Sequence, residues 1–222
     1  NIGTGKSLPP QTQFYLSDLQ FLDYKIGYYK MDKIKLWGYD LVPFTKEFNV
    51  SHFCQVTDLI FKDILTRGKL PIFVGGTGFY LKALTQPPQT LFVPPNQRLR
   101  SKLESLTLLQ LQEKLGEINP KKFHSMNSSD QNNPRRLIRA IEIQHHSQSN
   151  QLSPTPILPT INSSTWIGLN TNKESLKKLI RKNVVSRATS DLTAEITYLE
   201  KNGFRWNSQA ASATGYRLWK QY

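Results

Sequence analysis

The feature that most constrains this chain is a helix, a short apolar run and a glycine cluster in immediate succession. From Phe53 to Leu65 (FCQVTDLIFKDIL) the apolar residues Phe53, Val56, Ile60 and Ile64 recur at helical spacing. Arg67-Gly68-Lys69 ends that helix, and Leu70 to Val74 (LPIFV) reads as a short buried strand. Gly75-Gly76-Thr77-Gly78 follows at once, and Phe79-Tyr80-Leu81-Lys82-Ala83-Leu84 opens a second helix. Helix, buried strand, glycine turn, helix is a unit of an α/β fold with a parallel sheet. Unpaired amides and the dipole at such a helix start favour an anion such as a diphosphate, and Thr77 adds a hydroxyl donor. The competing reading is a tight turn whose glycines only permit close packing. This stretch alone does not choose between them.

Elsewhere, Ile26–Tyr29 and Ile34–Trp37 alternate on either side of Lys30-Met31-Asp32-Lys33, which predicts a hairpin, whereas residues 1–24 show no sustained period. Pro87, Pro88, Pro94 and Pro95 mark a boundary, beyond which the pattern turns helical. Leu99, Leu103 and Leu106 form one apolar stripe. Thr107 with Gln110 makes a capping box, and Asn119-Pro120 and Asn133-Pro134 each pair an N-cap with a first-turn proline. Residues 145–165, rich in Ser, Gln and Pro, predict a mobile loop, and Trp166–Leu169 a short strand returning to the sheet. Leu176 to Leu199 reads as helix with a break near Ala188–Asp191, closed by Gly203. The resulting plan is a partial α/β core over 1–94, an inserted helical domain over 95–145, and a loop with return to the core over 146–222.

Charge narrows the partners. Of 222 residues, 29 are Lys or Arg and 16 Asp or Glu, a formal net charge of +13 that favours a polyanionic partner, nucleic acid or a phosphorylated ligand. The lone Cys54 excludes an internal disulfide and a Cys-rich zinc module, and His145-His146 has no further ligands nearby, so no protein-built metal site is expected. No run approaches the ~18–20 apolar residues of a membrane span, and no signal-peptide core is visible. The chain is therefore expected to be soluble and cytoplasmic. Beginning at Asn1, it reads as a fragment.

Three basic stretches carry candidate chemistry. In Gly3-Thr4-Gly5-Lys6-Ser7 the last three residues match the tail of a P-loop, the basis for a small-molecule kinase reading. Pro9-Pro10 falls where the P-loop helix would run and argues against it. In Asn133-Pro134-Arg135-Arg136-Leu137-Ile138-Arg139-Ala140-Ile141-Glu142, the residues Leu137, Ile138 and Ile141 face a core while Arg135, Arg139 and Glu142 share the opposite face. Arginine forks at a helix opening suit phosphate; the alternative is a solvated face with an Arg139–Glu142 pair. Arg98 and Arg100 sit at a helix start, where cations oppose the dipole and a bound anion would relieve them. Lys177, Lys178, Arg181, Lys182 and Arg187 read as a solvated basic face.

Taken together, these blocks resemble the tRNA dimethylallyltransferase (tRNA isopentenyltransferase) family: Asn1–Lys6, then Arg67–Leu81, Asp130–Glu142, Ile167-Gly168-Leu169 and Gly215-Tyr216-Arg217, in the family's order. The resemblance implies a P-loop-NTPase-like α/β core with a parallel sheet and an inserted helical domain. It also implies transfer of a dimethylallyl group from dimethylallyl diphosphate to N6 of the adenosine at position 37, beside the tRNA anticodon, with Mg2+ assisting the diphosphate. Carried over residue by residue, Thr77 and Arg100 take catalytic roles, Gly75, Gly76 and Gly78 shape the donor turn, and Arg135, Arg136, Leu137, Ile138 and Arg139 match the tRNA-binding segment. The family's phosphate loop and its aspartate-bearing block are expected upstream of Asn1, so no general base is assigned. Asn183 stands where the family carries arginine, and Gln11–Val42 is unlike the commonest members. The expected partner is a tRNA anticodon stem-loop bound by a monomer. The alternative is a degenerate tRNA-binding protein without catalysis.

Overall fold

The computed structural model describes residues 4, 6, 8, 9, 11–149 and 164–219. It divides into two compact units, Asn1–Tyr80 with Ile161–Tyr222, and Leu81–Thr160.

In the first unit, β1 (Gln13–Phe21), β2 (Tyr24–Met31) and β3 (Ile34–Leu36) form an antiparallel sheet of order β1-β2-β3. The hairpin predicted around Asp32-Lys33 is β2–β3. Asp32 at φ 51° and Leu22 at φ 52° take the left-handed backbone that these two tight turns require. The first strand was not legible, because its register with β2 shifts between Leu16 and Gln20 and breaks the two-residue alternation. Helix α1 (Val50–Thr66) starts at Asn49, whose side chain accepts from the His52 N–H at 3.0 Å, and ends before Gly68 at φ 64°. Its Val56 and Ile60 pack with Phe21 and Ile26 of the sheet. Cys54, also on α1, is wholly buried, and burial pushes its thiol up to about 11.

Leu70–Val74 and Trp166–Leu169 correct the sequence reading. Neither is a strand, and Leu70, Ile72 and Val74 are 83%, 77% and 91% exposed, Ile167 and Leu169 84% and 96%. A parallel strand buries itself only against neighbours on both sides, and among the described residues these segments have none. The fold is mixed α/β, but the sheet among the described residues is antiparallel.

The rest of this unit is helical. Helix α2 (Gly78–Thr85) follows the glycine cluster and runs across the boundary between units. A cluster of Leu192, Ile196, Leu199, Phe204, Ala211 and Tyr216 forms a separate core, with Phe44 packed against it. Tyr216 of the Gly215-Tyr216-Arg217 block donates to Glu195 Oε1 at 2.7 Å; burial and that carboxylate push its phenol up.

In the second unit, α3 (Gln97–Leu103), α4 (Leu108–Ile118), α5 (Pro120–Ser125), α6 (Ser128–Gln131) and α7 (Pro134–Ser149) enclose Leu103, Leu111, Leu115, Leu137 and Ile141. The capping box forms as read: Thr107 Oγ1 accepts from Gln110 N, and Gln110 Oε1 from Thr107 N. Asn119 and Asn133 accept from Lys122 N and Arg135 N ahead of their prolines. Helix α7 continues through residues 145–149, so the predicted loop begins later; its part from 150 to 163 lies outside the described residues. The first unit then closes with α8 (Lys173–Ala188), α9 (Leu192–Lys201), a 3-10 turn (Ala210–Ser212) and α10 (Thr214–Trp219). The break between α8 and α9 and the positive φ of Gly203 fall where the sequence places them.

Candidate active site and RNA-binding residues

The glycine turn lies open. Gly75, Gly76, Thr77 and Gly78 are exposed, and the Thr77 carbonyl accepts from Tyr80 N at 3.0 Å as α2 begins. A Cβ placed on Gly75, Gly76 or Gly78 would meet no atom within 4 Å, and none of the three has a positive φ. Neither close packing nor a left-handed backbone therefore accounts for them. What remains is the approach of something that is not part of this chain, to a helix start whose first amides have no intrahelical partner. Tyr80 anchors α2 by stacking on Phe53 of α1, ring centroids 5.0 Å apart.

The arginines expected to bind phosphate separate into different roles. Glu142 of α7 is 2% exposed, not on a solvated face as its position seven residues after Arg135 suggested. Its Oε1 accepts from the Asn96 N–H at 2.6 Å and from Arg100 Nε at 2.8 Å. Its Oε2 accepts from Arg100 Nη2 at 2.9 Å and Arg139 Nη1 at 2.7 Å. Burial alone would raise this carboxyl's pKa; the hydrogen bonds from Arg100, Arg139 and the Asn96 amide outweigh it and hold the group below its ordinary range. Arg139 also donates to the Thr90 and Val93 carbonyls at 3.3 and 2.8 Å, tying down the segment that leads into α3. The anion that relieves Arg100 at the start of α3 is thus the protein's own carboxylate.

Leu137 and Ile138 correct the RNA-binding assignment. At 0% and 8% exposure their side chains belong to the helical core and cannot meet a nucleic acid. Arg136 pairs with Asp130 at 2.9 Å. Arg135 is exposed, and among the described residues its guanidinium makes no ion pair. Of the arginine row it is the one left available to a partner.

The kinase reading loses its lysine. Lys6 Nζ pairs with Asp40, donates to Tyr29 Oη at 3.0 Å and lies 4.8 Å from that ring's centroid. Gly3, Gly5 and Ser7 lie outside the described residues. The basic face of α8 is solvated as expected, but the helix has no buried residue, and Leu179, Ile180, Val184 and Val185 are all more than half exposed. Beside Glu142, His145 and His146 and the Pro94–Gln97 segment line an open cavity of ≈ 540 Å³, but its carboxylate is already saturated by arginine.

A magnesium ion needs oxygen ligands, usually one or two carboxylates. Among the described residues no group of three or more His, Cys, Asp or Glu could hold a metal, and the glycine turn offers one hydroxyl. The donor set does not by itself make a magnesium site. No described helix is long and apolar enough to cross a membrane.

An open glycine turn in a mixed α/β unit, with a separate basic helical unit, agrees with the wider likeness of the chain. The IPP transferase family model matches residues 18–222, and the chain belongs to that family. It is 33% identical over 217 residues to tRNA dimethylallyltransferase 1 of Syntrophus aciditrophicus, covering 98% of this chain and 65% of that protein. It is also 33% identical over 190 residues to tRNA dimethylallyltransferase 2 of Treponema denticola, covering 82% and 61%. Among solved structures, the full-length tRNA isopentenylpyrophosphate transferase of Bacillus halodurans is 29% identical, with 82% of this chain and 57% of that one covered, at a TM-score of 0.48. The chain thus spans 65% or less of the length of these relatives.

Proposed function

We propose that this chain forms the larger part of a tRNA dimethylallyltransferase, which moves a dimethylallyl group from its diphosphate to N6 of adenosine 37 beside the anticodon. The observation that carries the reading is the family match over residues 18–222, with a glycine turn that nothing in the chain crowds. In the reaction the allylic carbon–oxygen bond to diphosphate breaks as the carbon–nitrogen bond to N6 forms. The displaced N6 proton passes to a base that the described residues do not supply. Charge grows on the leaving diphosphate, so donors fixed before the reaction accelerate it. Thr77 Oγ1 and the first amides of α2 are those donors in this chain, and Gly75, Gly76 and Gly78 let the diphosphate approach the backbone. Magnesium would travel with the diphosphate rather than sit in a cluster of protein ligands.

In this reading Leu70–Val74 and Trp166–Leu169 are strands of a parallel, P-loop-NTPase-like core, and their exposed apolar side chains are the faces such a sheet would bury. Arg100 and Arg139 position the helical unit through Glu142, while Arg135 meets the tRNA backbone. A cytoplasmic monomer is the form we expect. Arg135→Ala should weaken binding of an anticodon stem-loop and reduce the magnitude of its salt dependence (d log K/d log[salt]) by about 1, with unfolding unchanged. An unchanged affinity would remove α7 from the RNA face. Transfer of labelled dimethylallyl groups by the full gene product tests the activity, and salt-sensitive tRNA binding without transfer would favour a non-catalytic binder.

A further inference from the structure

The three-stranded sheet has two unlike faces. Register sets Gln13 opposite Lys30, Tyr15 opposite Tyr28 and Lys30 opposite Lys35. With the two-residue alternation of a strand, these side chains and Trp37 share one face. The other face carries Phe14 and Tyr29, and Phe14 lies so close over Gly27 that a Cβ there would be 2.2 Å from its ring. On that second face the cation is already neutralised, since Lys6 pairs with Asp40 and Tyr29.

On the first face it is not. Lys30 and Lys35 stand directly opposite each other, and among the described residues neither forms an ion pair. Like charges in cross-strand pairs destabilise a sheet, a cost that a bound polyanion would relieve. Around them lies a run of rings. Tyr15 stacks with Tyr28 at 5.7 Å and 18°, and Tyr28 meets Trp37 at 4.8 Å. Lys35 Nζ sits 4.4 Å from the Tyr28 centroid and 5.5 Å from that of Trp37. Toward Ile26 this face is covered by Val56 and Ile60 of α1. Toward Tyr15 it opens to solvent, with Gln13, Tyr15 and Lys30 all exposed.

An apolar partner would find two uncompensated ammonium groups here. A single-stranded nucleic acid would find flat rings for its bases and cations for its phosphates. We infer that this face is a second RNA-binding surface, which takes an unpaired segment with a base stacked on Tyr15 and phosphates at Lys30 and Lys35. It rests on the proposed function only in taking RNA as the polyanion.

The test is fluorescence anisotropy with the whole chain and three probes: a short unstructured oligouridylate, an anticodon stem-loop and an oligoglutamate. Tyr15→Ala should weaken oligouridylate at least ~5-fold, with Tyr15→Phe retaining it. Lys30→Gln with Lys35→Gln should lower the salt slope for oligouridylate by about 1. Both sites lie on the surface, and circular dichroism would report any loss of fold. Wild-type affinity and slope in Tyr15→Ala and in the double variant would overturn the inference. So would a loss confined to oligoglutamate, which would mark an acidic protein as the partner. If the full gene product transfers no dimethylallyl group while the oligouridylate effects persist, the functional proposal fails and this surface stands. If transfer occurs and the oligouridylate effects are missing, the surface fails alone.

Discussion

Glu142→Ala is expected to lower the stability of the helical unit by about 3 kcal/mol, read as an earlier urea midpoint. The carboxylate is the shared acceptor for Arg100, Arg139 and the Asn96 amide, with its side chain 1% exposed. Removing it leaves two guanidinium groups facing each other with no anion between them. The loss stays at the low end for a broken buried ion network because the arginines are 32% and 33% exposed, so water recovers part of their solvation. The pH dependence has a definite sign. The folded carboxyl lies below its ordinary value, so the unfolded chain takes up its proton first as pH falls. The contribution is fully present above the ordinary carboxylate range, near pH ~4.3, and is lost as pH drops through the lower folded value. Glu142→Gln keeps the shape without the charge, and its stability should vary less than wild type over that acidic window. Equal urea midpoints and equal acid profiles for the three proteins would show that the arginines hold nothing together.

The second large effect concerns Thr77. In the full gene product Thr77→Ala should lower turnover about 100-fold, the scale of removing one donor from a site that stabilises developing negative charge. Affinity for the anticodon stem-loop should not change, and Thr77→Ser should restore most of the rate because it keeps the hydroxyl. No atom crowds the flanking glycines, and Thr77 itself is exposed, so the substitution disturbs no core. A matching fall in RNA affinity, or full turnover by the alanine variant, would move the diphosphate away from this turn.

What could be read before the structure was chiefly local. Asn119, Asn133 and the Thr107–Gln110 box announce helix starts because each cap is a bond between residues at most three apart. The β2–β3 hairpin is legible for the same reason. The first strand was hidden because Phe14, Tyr15 and Leu16 are all exposed, so no alternation of burial marks it. Leu70–Val74 has the composition of a buried strand, but burial belongs to the neighbours, and among the described residues none is present. In the candidate site, the glycine turn was visible as a motif, although only the geometry disfavours the packing explanation. Glu142 escaped entirely: it lies four residues after core Ile138 and seven after exposed Arg135, so helical arithmetic admits either face. Its burial depends on Arg100, more than forty residues earlier in the chain. The pairing also separates Arg139 from Arg135, which periodicity alone had placed together.

The only cysteine of the chain sits at 0% exposure on the helix that backs the sheet, with its thiol shifted to about 11. A thiol reagent at neutral pH can therefore label it only during moments when α1 lifts away. The modification rate becomes a clock for local opening of that unit, silent about the arginine-bound helices, and measurable in crude samples without any added probe. Oligouridylate held on the aromatic face should slow that clock, whereas Glu142 substitutions should leave it running at its original pace.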